Sequence, residues 1–312
     1  IILAQGTEIS SKHLEYFTKH GIFYVYIDEE VVEHQAMRLT TNEKFRDLNT
    51  NYAQVLDRFK KTYFQIQNKD FKFDAAVLEE DIKPLVDTLL SDNDVLGSMR
   101  LLSFKENYNF THAVNVSMLG AMLGKWLGLD RNMIYSIALA GLLHDIGKIQ
   151  VPQDLLFKTG KLSEYEMDKM RAHARLGYDL LKDNTSIPRD VLAAVLFHHE
   201  RNDGSGYPSG LRDDQIPYLA RIIGVVDVFD ALTSDRIYKA SVSSFRAFNI
   251  LKDESFKGLD PTISDVFMSN IASFFINNKV KLSDGRVGEV VYVNKFARSE
   301  EHTSELQSLS HL

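Results

Sequence analysis

Five histidines lie on or at the end of predicted helices between residues 101 and 278, each beside apolar residues that should face a core: His112, His144, His173, His198 and His199. A buried imidazole needs a hydrogen-bond or metal partner. The chain has no cysteine, so a metal site must use imidazole, carboxylate and water, which suit Fe or Mn better than Mg or Ca. One histidine in such a place is usually a satisfied core residue, but five together favour a metal site.

The first of these clusters is the His144-Asp145 pair in residues 141–148. It ends a helix whose apolar face is formed by Ile134, Ile137, Ala138, Leu142 and Leu143. A neutral imidazole beside a carboxylate suits a divalent metal, and the carboxylate can bridge two ions. Lys148, one turn further on, is placed to meet an anion that such ions bind. The alternative is a buried pair in which Asp145 only orients His144.

A further acid, Asp227, interrupts an otherwise apolar helix predicted over residues 218–234. A lone carboxylate takes such a place only with a compensating cation or metal. Asp227 is therefore a metal ligand or the partner of Arg221 or Arg236 in a salt bridge.

Residues 204–210 form the strongest break in the helical pattern. Gly204 and Gly206 relieve steric limits in a tight turn, and Pro208 biases Tyr207 toward extended geometry. Such a loop is either purely structural or part of the rim of a binding site.

The elements that must position these residues are mostly helices. Residues 1–40 read as a small α/β domain, residues 41–100 as a helical connector whose long helices suit a homodimer, and residues 101–297 as a helical domain. Helices are predicted over 109–128, 131–146, 163–183, 188–200, 218–234, 243–252 and 261–278. A Ser-Asp-Gly turn predicts a C-terminal β-hairpin over 280–293. The predicted fold class is thus mainly α.

Composition narrows the function classes. The chain has 312 residues, of which 44% are hydrophobic and 25% charged, and its net charge is −7, which argues against nucleic acid or an anionic membrane as the main partner. No apolar run approaches the roughly 20 residues of a membrane-spanning helix, and the lack of cysteine fits a reducing, cytoplasmic compartment. Residues 298–312 resemble the translation of a sequencing adapter, so we expect the native sequence to stop near Ala297.

Three motifs together resemble an HD-GYP domain, the branch of the HD phosphohydrolases whose members hydrolyse cyclic di-GMP. They are His144-Asp145 with Gly147-Lys148, then residues 198–208 from His198-His199 to Gly206-Tyr207-Pro208, then residues 227–236. The second motif is long and very specific, and the resemblance covers residues 101–297. It implies a helical HD-domain bundle and hydrolysis of cyclic di-GMP to pGpG, with further cleavage to GMP as an extension.

The resemblance also implies roles for residues at matching positions. Two divalent metal ions, Fe or Mn, would share Asp145: His112, His144 and Asp227 would complete one position, and His173, His198 and His199 the other. Some members hold a third metal through a Glu where this chain has Tyr108, and Glu106 falls on a different helical face, so we expect two metals. Two such ions can activate a bridging hydroxide to attack the phosphodiester.

Substrate contacts are implied as well. Lys148, Arg236 and Lys239 match positions that grip phosphate, and Tyr207 matches the substrate rim, a surface that also suits a GGDEF-domain diguanylate cyclase as partner. Two other functions stay open. One is hydrolysis of another cyclic dinucleotide such as cyclic GMP–AMP, and the other is a sensor or docking module that binds without turnover.

Overall fold

The computed structural model describes residues 43–66, 74–91, 108–158, 160–233, 250–251, 254, 258–272, 279–281 and 287–289. The chain divides into two compact units, of which Thr40–Met268 holds the functional candidates. Among the described residues, no helix is both long enough and apolar enough to cross a membrane. The predicted N-terminal α/β domain, the tail 298–312, Arg236 and Lys239 lie outside the described residues.

The unit opens with two helices that pack on each other, α1 (Glu43–Ile66) and α2 (Ala75–Ser91). Along α1, Leu48, Tyr52 and Val55 recur at helical spacing and are almost fully buried, as are Ile82 and Leu85 of α2. Both helices also pack against the next described helix, Tyr108–Trp126. The predicted connector therefore shares a core with the helices that follow it.

Helices α3 (Tyr108–Trp126) and α4 (Arg131–Leu143) form the centre of the unit. They approach closely because Gly141 has no side chain: a Cβ there would lie 2.7 Å from Cα of Ser117. Asp130 caps α4 by accepting hydrogen bonds from two backbone amides. The helix ends at Leu143, earlier than predicted, because the chain turns into a 3₁₀ segment over Ile146–Gln150.

Six helices complete the described part: α5 (Gln153–Leu156), α6 (Glu164–Arg171), α7 (His173–Leu181), α8 (Arg189–Phe197), α9 (Tyr218–Thr233) and α10 (Pro261–Ile271). The single helix predicted over 163–183 is two helices that break at Ala172. None of the α6 residues is buried, whereas α7 turns His173 and Gly177 inward onto the 3₁₀ segment. The predicted mainly helical fold is confirmed for the described residues.

Two short strands lie in the other unit. β1 (Lys279–Lys281) and β2 (Val287–Glu289) pair antiparallel, with Lys279 opposite Glu289. The residues of the predicted turn between them lie outside the described residues, so the hairpin stays a prediction.

Candidate metal centre

Five helices bring the seven predicted ligands to one place. His112 lies in α3 and Asp227 in α9, His144 and Asp145 follow the end of α4, His173 begins α7, and His198 and His199 follow α8. His144 and His198 have no exposed surface, and the side chains of His112 and His173 are 2% exposed. A helix end is a suitable position because it projects a side chain into the core without a neighbouring turn to block it.

The potential ligand atoms form two groups, in each of which all atoms lie within 4.8 Å of one another. One group is His112, His144 and Asp227, and the other is Asp145, His173, His198 and His199. The resemblance implies the same division of the six other residues and assigns Asp145 to both positions.

Asp145 stands between the two groups. Its Oδ2 lies 3.3 Å from Nε2 of His144 and 3.6 Å from Nε2 of His112, whereas its Oδ1 lies 3.2 Å from Nε2 of His173. Each carboxylate oxygen thus faces a different set of imidazoles. A carboxylate in this arrangement can bridge two cations, one from each oxygen.

Hydrogen bonds to the backbone fix which nitrogen of each ring faces the centre. Nδ1 of His144, His173 and His198 lies 2.7, 2.7 and 2.9 Å from the carbonyl oxygen of the residue three positions earlier. A carbonyl oxygen can only accept, so Nδ1 carries the proton. In the neutral rings Nε2 therefore presents a lone pair to the centre.

These lone pairs face one another and the carboxylates. Nε2 of His173 and Nε2 of His198 are 3.4 Å apart, and in the described part of the chain the buried Nε2 of His144 and Oδ1 of Asp145 have no hydrogen-bond partner. Facing acceptors repel unless a cation lies between them. The donor set of imidazole nitrogens and carboxylate oxygens fits divalent metal ions. The carbonyl of Gly141 already holds the ring of His144 through Nδ1, so Asp145 is not needed for that purpose.

Burial and neighbouring charges shift the pKa values of several residues of the centre, though not all in the direction that metal binding requires. Burial lowers the pKa of His199 to about 3, and burial with the nearby His199 holds the pKa of His198 well below its usual range. Although burial opposes it, Lys148 and His144 hold the pKa of Asp145 well below the ordinary value. His112 differs from His198 and His199: although burial opposes it, hydrogen bonds with Asp227 and Asp230 raise the pKa of His112 to about 9, so a metal at this position would displace a proton from the ring.

A second layer of side chains orients His112, and the sequence motifs did not identify it. Nδ1 of His112 donates to Oδ2 of Asp230 at 2.7 Å, and Nδ2 of Asn115 donates to Oδ1 of Asp230 at 3.1 Å. The hydroxyl of Tyr52 in α1 donates to Oδ1 of Asn115 at 3.4 Å. The available signal was a second acid, three residues after Asp227, on the same apolar helix. Carboxylates that bind the outer nitrogen of a metal-ligating histidine fix its orientation and raise its basicity.

The remaining predicted site residues lie around this centre. The ammonium of Lys148 donates to Oδ2 of Asp145, and the Tyr207 ring stacks on His199 with centroids 4.7 Å apart. Arg221 pairs with Asp260 at 2.9 Å, so this arginine is not the partner that Asp227 would need in the salt-bridge alternative.

Glu200, which the sequence motifs did not identify as a site residue, holds the loop that carries Tyr207. The carboxylate of Glu200, 4% exposed, accepts hydrogen bonds from the amides of Ser209 at 2.7 Å and Leu211 at 2.9 Å. A Cβ at Gly206 would lie 2.4 Å from Cα of Glu200. Glycine at this position therefore lets the loop approach the segment that follows α8 and places Tyr207 against His199.

Comparison with known proteins places this arrangement in context. The sequence profile of the HD domain family matches residues 95–263. Among solved structures, Bd1817, a HDG"Y"P protein from Bdellovibrio bacteriovorus, aligns with a TM-score of 0.61 and 20% identity over 74% of each chain. At that identity the likeness shows the fold alone, a mainly helical HD domain.

Curated relatives are more similar in sequence. A Pseudomonas aeruginosa protein named cyclic di-GMP phosphodiesterase PA4108 is 35% identical over 227 residues, which cover 72% of this chain and 55% of that protein. A Vibrio cholerae protein named 3'3'-cGAMP-specific phosphodiesterase 1 is 36% identical over 178 residues, which cover 55% of this chain and 40% of that protein. The chain thus spans about half the length of these relatives.

Proposed function

We propose, since the chain belongs to the HD domain family, that it is a metal-dependent phosphodiesterase that hydrolyses cyclic di-GMP to linear pGpG, with GMP as a further product. The observation that carries the proposal is the position of Asp145, whose two oxygens face two separate sets of imidazole nitrogens. Relatives named as cyclic di-GMP phosphodiesterases support the substrate.

The residues of the centre would have two roles, metal binding and orientation of the metal-binding rings. His112, His144, Asp145 and Asp227 would hold one divalent ion, and Asp145, His173, His198 and His199 the other. The pair of ions would supply activation of water and neutralisation of phosphate charge. Asp230 holds the ring of His112 in position, and the backbone carbonyls hold His144, His173 and His198.

Lys148 binds the substrate phosphate. Its ammonium donates to Oδ2 of Asp145, and its side chain is 23% exposed, so the group reaches both the centre and solvent. A cation bound to Asp145 would compete for the same oxygen and release the ammonium toward a non-bridging phosphate oxygen. The two further cations expected there, Arg236 and Lys239, stay predictions, as do the GGDEF-domain partner, the homodimer and the domain boundaries.

A second candidate substrate is 3'3'-cGAMP, favoured by the name of the Vibrio cholerae relative. The metal chemistry would be the same, and only the contacts to one base would differ. The non-enzymatic alternative is a binding module, which would bind a cyclic dinucleotide at a metal-loaded centre and leave it intact.

Product analysis tests the proposal. The chain, purified without oxygen and loaded with Fe(II) or Mn(II), is incubated with cyclic di-GMP or 3'3'-cGAMP, and the products are separated by liquid chromatography. Asp145→Asn removes the bridging charge at nearly constant volume, and Asp179→Asn makes the same change at an exposed site that pairs with Lys182. We expect pGpG from the native chain and from Asp179→Asn but none from Asp145→Asn. Intact cyclic di-GMP after incubation with the fully metal-loaded native chain would refute the proposal.

A further inference from the structure

A cavity beside the metal centre has the size of a nucleobase site. Its volume is about 250 Å³, and its lining includes His199, Tyr207, Arg171, Asp203 and Glu254. Sites that enclose a whole drug-sized ligand measure roughly 300–1,000 Å³, so this cavity suits one part of a cyclic dinucleotide. Because His199 also belongs to the second ligand group, a base in the cavity would leave its phosphate next to the centre.

One wall of the cavity is aromatic. The Tyr207 ring lies nearly parallel to the His199 ring, with an interplanar angle of 28°. The loop that carries Tyr207 is fastened through Glu200, so the ring is held before any ligand arrives. His199 covers one face of this ring, so a base would stack on the other face, and stacking alone does not select among bases.

Selection among bases needs the charged groups of the lining, which include two arginines, Arg171 and Arg201. The two arginines differ, because Nη1 of Arg201 donates to the carbonyls of His198 at 3.3 Å and Glu200 at 2.9 Å and so belongs to the framework. Arg171 lies over the Tyr207 ring at 5.6 Å, its side chain is 51% exposed, and its hydrogen bond to Asp168 is 3.4 Å long, close to the limit for such a bond. Its guanidinium is thus available to a ligand at the ring.

The lining also offers carboxylates. Oδ1 of Asp203 accepts from the amide and hydroxyl of Ser205, which holds the carboxylate in place, and Glu254 borders the same cavity. Guanine presents acceptors at O6 and N7 and donors at N1 and N2, so it needs a cationic donor on one side and a carboxylate on the other. Adenine has a donor amino group in place of O6 and would meet the guanidinium with the wrong polarity.

We infer that this cavity is the guanine site for a cyclic dinucleotide and that Arg171 selects guanine by donating to O6 and N7. The inference rests on the proposed function, since it assumes a guanine-containing cyclic dinucleotide as substrate. Arg171 is a specificity residue that contacts the base, and it has no role in cleavage of the phosphodiester bond.

The test compares a substrate that has guanine with one that has no base. KM and kcat are measured for cyclic di-GMP and for bis(p-nitrophenyl) phosphate with the native chain, Arg171→Gln, Arg171→Lys and a matched control, Arg175→Gln, whose arginine pairs with Asp179 on α7. Loss of a bidentate arginine–guanine contact costs on the order of tenfold or more. We expect Arg171→Gln to raise KM for cyclic di-GMP by about that factor at unchanged kcat, Arg171→Lys to recover only part of it, and the base-free substrate and Arg175→Gln to be unaffected.

A binding measurement separates this inference from the proposed function. Calorimetric affinities of cyclic di-GMP and cyclic di-AMP are measured in the Asp145→Asn background, with and without Arg171→Gln, where no turnover is needed. We expect Arg171→Gln to weaken cyclic di-GMP alone. The guanine assignment would be overturned if Arg171→Gln weakened the affinities for cyclic di-GMP and cyclic di-AMP equally, or left the affinity for cyclic di-GMP unchanged. It would also be overturned if the variant raised KM equally for cyclic di-GMP and bis(p-nitrophenyl) phosphate. Cleavage of the base-free substrate together with intact cyclic di-GMP would instead contradict the proposed function.

Discussion

Replacing Asp230 by Asn tests whether the second layer controls one metal position. The carboxylate is 5% exposed and accepts from Nδ1 of His112 and from Asn115, whose Oδ1 accepts in turn from Tyr52. Asparagine keeps the shape and removes the charge. Its single oxygen can serve His112 or Asn115 but not both, and its amino group then faces another donor.

The expected loss follows from the geometry. A hydrogen bond to a charged group contributes about 1.5–3 kcal/mol, and at this depth solvent screens little of it. Mutation of a residue that hydrogen-bonds to a metal ligand typically weakens metal affinity by about 10–100-fold, which corresponds to about 1.4–2.8 kcal/mol. Because Asp230 holds the ring of His112, which belongs to one of the two ligand groups, we expect the loss at that metal position.

The assay is an anaerobic calorimetric titration of the apo chain with Mn(II), with circular dichroism to confirm the fold. Asp230→Asn should shift one of two binding steps and leave the other unchanged. Asp87→Asn is the matched control, because Asp87 accepts from the hydroxyl of Tyr135 at 2.6 Å and has no part in the centre. Two unshifted steps, or two steps shifted alike, would refute the assignment of Asp230 to the His112 position.

Three further predictions follow from single contacts. Gly147→Ala should lower the free energy of unfolding by about 1–3 kcal/mol, because a Cβ would lie 2.0 Å from the carbonyl oxygen of His173. An unchanged thermal melt would contradict this. Glu200→Gln loses one of two acceptors for the loop amides, so hydrogen exchange over residues 204–211 should accelerate, whereas equal exchange rates would show that the loop is held elsewhere. Mn(II) at 100 times its Kd should stabilise the apo chain by about 2.7 kcal/mol for each metal position that it fills, measured by denaturant unfolding, and the Asp145→Asn variant should gain less.

The candidate site was largely readable from the sequence. Histidines on apolar helices need partners, the chain offers no thiolate, and the motif 198–208 is specific enough to indicate the family, which the HD domain match confirms. The division of ligands between two positions came from the resemblance, and the distances group the same residues. Asp230 was not identified because its partner His112 lies 118 residues away in sequence, and no local pattern joins the two.

The contact between Arg171 and Tyr207 could not be predicted from the sequence for a different reason. Consecutive residues of an α-helix are turned by about 100°, so positions 171 and 173 of the continuous helix predicted over 163–183 would face about 200° apart. With His173 turned into the core, that geometry sends Arg171 to solvent. The Arg171 side chain is indeed 51% exposed, yet its guanidinium lies 5.6 Å from the centre of the Tyr207 ring, and the ring of His173 lies 6.4 Å from the same ring. A metal-ligand candidate and a base-selecting candidate thus meet at one aromatic ring because the loop that carries Tyr207 lies against both, and a helical pattern in residues 163–183 cannot predict a contact with a loop more than 30 residues away in sequence.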